Sequence, residues 1–212
     1  MLTSNSGLST RHSAQNTVRR TAALINALST DDSTDSPADG STEGSAEGSA
    51  DSSARAGSVC SVGGAVADVL RAHGEPDPIA LSARDIAEMR EAAGALREAF
   101  AAESVGDAAA VLNALLQRTT GTLRLTSHSG ASPWHPHLDS HDEAPWGEWF
   151  LASSCLALTV LVWDRQRPPG GICASPGCRA VFVTLNSGPA RRYCSRRCAT
   201  RERVAAHRRA QA

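Results

Sequence analysis

The chain contains no lysine; all 21 of its basic residues are arginine. With abundant alanine and glycine, this bias points to a GC-rich bacterial coding sequence and carries no mechanistic meaning. An apolar run long enough for a bilayer is also missing. The longest, Phe150 to Trp163, falls short of the roughly 20 residues a spanning helix needs and contains Ser153, Ser154 and Thr159, so no membrane partner is expected. The first thirty residues hold Arg11, Arg19 and Arg20 but no compact apolar block followed by a small-residue cleavage site. No secretory signal is read, and the cytoplasm is the expected compartment. Gly63-Gly64 and Gly170-Gly171 lack the context of a phosphate loop, and no serine sits in a nucleophile elbow. A non-enzymatic protein is expected.

What is present is unevenly distributed. The net charge is -1, yet residues 165–212 hold eleven arginines against one acid, Glu202, while residues 1–164 hold ten against twenty-one acids. That separation describes a polyanion-binding tail on an acidic body.

Apolar periodicity divides the body into helices. Val18, Ala22, Ile25 and Leu28 recur at helical spacing and predict a helix from Gln15 to Leu28. Residues from about 29 to 57 are almost wholly Ser, Thr, Asp, Glu, Gly and Ala. They have nothing to bury against the entropy of ordering and are expected to be a disordered acidic insertion. A helix around Val62, Val66, Val69 and Leu70 stops at Gly74, with Pro76 and Pro78 behind it. Ser82 and Asp85 form a capping-box pattern ahead of the stripe Ile86, Met89, Ala93, Leu96 and Phe100. A further helix after Asp107 buries Val111, Leu112, Leu115 and Leu116, and Thr122 to Thr126 alternates as a short strand. A Pro- and His-rich loop follows. Trp146 to Asp164, apolar around most of its circumference, is the expected central helix. Arg165 to Gly171, with Pro168 and Pro169, is linker chemistry.

Six cysteines in a chain without an export signal argue for metal or free thiols over disulfides. Cys60 and Cys155 stand alone in apolar surroundings and read as buried inert thiols. The other four form two short pairs, Cys173-x4-Cys178 and Cys194-x3-Cys198, separated by fifteen residues. A segment this small cannot fold by burial alone. One Zn2+ held by Cys173, Cys178, Cys194 and Cys198 supplies on the order of 10 kcal/mol instead. Pro176 and Gly177 suit a tight knuckle between the first two ligands. Ala180 to Leu185 reads as a strand, Asn186 to Pro189 as a turn and Arg191 to Tyr193 as the returning strand. Cys194 and Cys198 then share one face of a closing helix that runs to about Arg209. Four thiolates fill the coordination sphere, so the metal is expected to be architectural.

The segment Cys173-Ala-Ser-Pro-Gly-Cys178, the strand Val181-Phe182-Val183, the run Ala190-Arg191-Arg192-Tyr193-Cys194-Ser195 and the helix Arg201 to Arg209 resemble the CGNR-type zinc finger of bacterial proteins. Upstream, Ala23-Leu24-Ile25-Asn26-Ala27-Leu28 and Trp134-His135-Pro136-His137 resemble parts of the helical ABATE domain that precedes this finger. Cys198-Ala199-Thr200-Arg201 stands where the family usually has Cys-Gly-Asn-Arg. The resemblance implies a stress-induced transcription regulator. The expected fold is mainly α, with an ABATE-like helical domain over residues 14–164, a linker over 165–171 and a small treble-clef-like finger over 172–210.

Arg191, Arg192, Arg196, Arg197, Arg201, Arg203, Arg208 and Arg209 cluster on or beside the closing helix, with Glu202 as their only acidic neighbour. Arg197, Arg201 and Arg208 lie near one face, suited to phosphates or to guanine in a major groove. DNA is the expected partner, with the helical domain as sensor or dimerising unit in a homo-oligomer. A zinc-stabilised module that docks on RNA polymerase, another regulator or RNA is the alternative. His128, His135, His137 and His141 fall within fourteen residues and offer an effector or second metal site, against the plainer reading of an exposed loop.

Overall fold

The structure, a computed structural model, describes residues 10–29, 53–119, 121–185 and 191–211, with side chains from residue 13 in the first helix and residue 62 in the second. The body is built from α1 (Thr10–Leu28), α2 (Ser53–Ala72), α3 (Ala83–Ala101), α4 (Val105–Leu116) and α5 (Trp146–Arg165). Each expected helix is present, and α1 and α2 begin earlier than their apolar patterns do. Ala54, Arg55 and Ala56 are strong helix formers, which lets α2 extend back to Ser53. Residues 53–57 are therefore helical and not part of the acidic insertion. Residues 30–52 of that insertion lie outside the described residues, as does the side chain of Cys60.

Local capping sets the start of α3 and α4. Ser82 and Asp85 form the expected reciprocal box, and Ser104 with Asp107 forms a second. Each box satisfies two otherwise orphaned N–H groups. Behind the caps, Ile86, Met89, Ala93, Leu96 and Phe100 are buried as their spacing requires, and α4 buries Leu112 and Leu115. Val111 and Leu116 pack only at the edge of the core.

α5 is the centre of the body and packs against α1, α3 and α4. Counting its polar ends it has 20 residues and is long and apolar enough to cross a membrane, which the shorter apolar run did not suggest. Here Phe150, Cys155, Leu158 and Leu161 are buried in the protein core, while Trp163 is 76 % exposed. Thr21 on α1 and Ser154 on α5 are both buried and bonded to each other at 2.9 Å. Nearby, the Arg20 guanidinium lies over Trp149 at 4.2 Å, bonds Ser153 at 3.0 Å and pairs with Glu75 at 2.8 Å. Burial lowers the Arg20 pKa, and the Glu75 carboxylate works in the opposite direction.

Two small antiparallel ribbons accompany these helices among the described residues. β1 (Arg124–Thr126) pairs with β2 (His135–His137), which the sequence placed in a loop. Pro136, lacking an N–H, sits at the middle of this edge strand opposite Leu125 and hides its extended character. β3 (Gly170–Ile172) pairs with β4 (Val181–Val183), so the expected linker ends in a strand. Residues 191–193 were the expected partner of β4, but they form no strand and instead bond the knuckle, Ala174 N–H donating to Arg192 O at 2.8 Å. The hairpin thus encloses the knuckle and does not follow it. The expected turn at 186–189 lies outside the described residues.

The finger is packed onto the body. On α1, Asn26 donates to Val181 O at 3.0 Å and accepts from Val181 N–H at 2.8 Å, completing both hydrogen bonds of that strand residue as another strand would. Val181 itself joins the body's core, with Ile172, Val183 and Leu185 packed against it.

Candidate metal centre

The knuckle, the segment before α6 (Arg196–Arg209) and the first turn of that helix bring the four predicted cysteines together. Their sulfurs all lie within 4.8 Å of one another. Cys194 Sγ is 3.7 Å from both Cys178 Sγ and Cys198 Sγ. A tetrahedral zinc with sulfurs at about 2.3 Å requires an edge of about 3.8 Å, so the four donors fit one ion. Gly177 supplies the knuckle's left-handed residue, at φ 73°. Ser195, with its side chain accepting from Cys198 N–H, caps α6 and leaves Cys194 one position before the cap. The expectation that both late cysteines lie within the helix is therefore corrected: only Cys198 does, because the serine cap turns the chain between them.

Holding all four cysteines as thiolates calls for a cation. Burial opposes the Cys173 thiolate, but the N–H groups of Cys194 and Ser175, with the thiols of Cys194 and Cys178, outweigh it and bring that thiol down to about 7. Burial and the neighbouring thiols push Cys194 up to about 12. Four thiolates this close cannot coexist at neutral pH unless a metal ion takes their charge.

A clamp that the sequence did not reveal holds α6 to the knuckle. Ser175 is 3 % exposed; its hydroxyl donates to Glu202 and accepts from Arg201 Nη2 at 2.6 Å. Glu202 is the one acid of residues 165–212, and it faces inward. Its spacing of four from Cys198 was the available signal, since that places it above the ligand on one helical face.

All eight predicted arginines are exposed. Arg196, Arg197, Arg203, Arg208 and Arg209 project from α6 with Arg201, which reaches back to Ser175. Arg191 bonds Cys194 O at 2.7 Å and lies over Phe182 at 5.1 Å, while Arg192 lies over Tyr193 at 5.9 Å. Of the four histidines, the β1–β2 ribbon gathers His128, His135 and His137. His141 stands apart and bonds Ser140 at 3.1 Å.

A four-thiolate centre closed by a hairpin and a cationic helix defines a structural zinc finger, here carried on a helical body. Residues 171–211 match the CGNR zinc finger, and residues 50–164 match the ABATE domain, described as "Putative stress-induced transcription regulator". The chain belongs to the ABATE family, with a C-terminal CGNR zinc finger whose four cysteines are positioned to bind one Zn2+. No curated protein matches it. Helix α1 precedes the matched residues, yet supplies Leu24 and Ile25 to the same core.

Proposed function

We propose that this protein is a DNA-binding transcription regulator whose zinc-locked finger grips duplex DNA through α6, with the helical body as sensor or dimerising unit. The observation that carries this is the arginine helix itself: six exposed arginines on α6, with its only acid turned inward onto Ser175. Such a surface repels itself unless a polyanion relieves it. The membership in a transcription-regulator family supports the same reading. The finger metal is architectural, because four thiolates leave no position for a substrate, and we read the chain as a binding protein, not an enzyme. A bacterial cytoplasm, where thiols stay reduced, is the compartment this chemistry suits.

Fluorescence anisotropy on labelled duplex across a salt series tests the proposal. If about five phosphates are neutralised, log affinity falls against log salt with a slope of roughly -4 to -5. Zinc chelation abolishes the binding. A flat response at low salt refutes DNA binding, and binding erased by an unrelated polyanion competitor assigns the finger to a protein or RNA interaction role.

A further inference from the structure

We propose that His128, His135 and His137 form a second metal site, separate from the finger, that takes a divalent first-row transition-metal ion through their three Nε2 atoms. The inference does not rest on DNA binding and would stand if the finger bound none.

The three ring nitrogens converge. His135 Nε2 is 3.0 Å from His137 Nε2 and 3.2 Å from His128 Nε2, and the three ligand atoms lie within 4.8 Å of one another. Imidazole nitrogens at about 2.0–2.1 Å around a tetrahedral ion stand about 3.3 Å apart. The spacing is that of a coordination sphere.

The Nδ1 partners leave the Nε2 atoms free to take a cation. His135 Nδ1 is 2.7 Å from the Pro133 carbonyl oxygen, which can only accept, so Nδ1 carries the hydrogen. His137 Nδ1 is 2.8 Å from Asp139 Oδ1, and Arg124 binds that same oxygen at 2.9 Å, so the carboxylate also accepts. With each Nδ1 committed to a donor role, the two Nε2 atoms face each other across 3.0 Å, where one cation can be shared between them.

For His135 and His137 the surroundings match those of metal-bound histidine, whose second nitrogen donates to a carboxylate or carbonyl. His128 Nδ1 is 3.5 Å from Asp142, a carboxylate that Thr126 and Arg124 hold at 2.7 and 2.9 Å. Asp139 is 2 % exposed and His137 9 %, so the deepest ligand is rigidly held. Gly121 permits this placement: a Cβ there would overlap the backbone of Leu138 and Asp139. Two carboxylates face one guanidinium, which leaves the second layer net negative and favourable to a cation. The donor set is nitrogen only, suited to zinc, copper, nickel or cobalt, and unlike the finger it leaves a position open for water or a small anionic effector.

The test uses the full chain with one zinc equivalent in the finger, titrated with Co2+. We expect one further equivalent, with weak visible d–d bands and without the sulfur-to-cobalt charge transfer that would report exchange into the finger. His135→Gln, at a half-exposed position, removes that equivalent and leaves the finger zinc and the helical circular dichroism unchanged. His141→Gln leaves both equivalents, and Asp139→Asn weakens the second about 10- to 100-fold. No uptake beyond the finger, cobalt with charge-transfer absorption alone, or a second equivalent that survives in His135→Gln each overturns the proposal.

Discussion

Replacing Asn26 with alanine probes the joint between body and finger. The Asn26 amide makes two bonds, at 2.8 and 3.0 Å, to the N–H and C=O of Val181. Both contacts are partly buried, so each orphaned backbone group costs about 1 kcal/mol, near the low end for an unsatisfied partner, and the docked state loses about 2 kcal/mol. Alanine is the better helix former by about 0.5 kcal/mol, but it stabilises α1 whether or not the finger is docked. Global unfolding should therefore lose about 1.5 kcal/mol, whereas the local opening of β4 should become easier by the full 2 kcal/mol, or about 30-fold. Native-state hydrogen exchange reads the second quantity at the Val181 amide, and chemical denaturation reads the first. Unchanged protection of Val181 in Asn26→Ala, with or without a change in global stability, would refute the claim that this side chain substitutes for a neighbouring strand.

Two further outcomes follow from the packing. Arg201→Ala removes the fork onto Ser175 and should weaken zinc retention about tenfold in chelator competition, through a loss of about 1.4 kcal/mol; unchanged retention would mean that Arg201 serves only the outer surface. Cys155 is fully buried and its thiol is pushed up to about 12, chiefly by burial. The unfolded thiol ionises near 8.5, so the unfolded state holds fewer protons than the folded one above that pH, and stability falls between about pH 8.5 and 12. Cys155→Ala should flatten that alkaline limb in denaturation curves, and alkylation at pH 8 should label Cys155 only after unfolding.

Much of the metal centre was legible because its determinants are local. Paired cysteines with Pro176-Gly177 between the first two specify a knuckle, and the ligands follow from spacing alone. The capping box at Ser82 and Asp85 was equally readable, since it spans four residues. The ribbon β1–β2 was not. Three residues centred on Pro136 carry no strand signal, and the pairing with Arg124–Thr126 exists only because the chain doubles back. That return gathers His128, His135 and His137 and leaves out His141, a division that their closeness in sequence could not predict.

The amino-acid order by itself determined the helical segments of the body, the four zinc ligands and the separation of acid from arginine, because periodicity, short spacing and charge act over a few residues. Tertiary structure alone decided that Asn26 would complete Val181, that Glu202 would turn inward to Ser175 and that three imidazoles would share one point. Each of those depends on groups brought together from different elements, and only the packed core sets the distance between them.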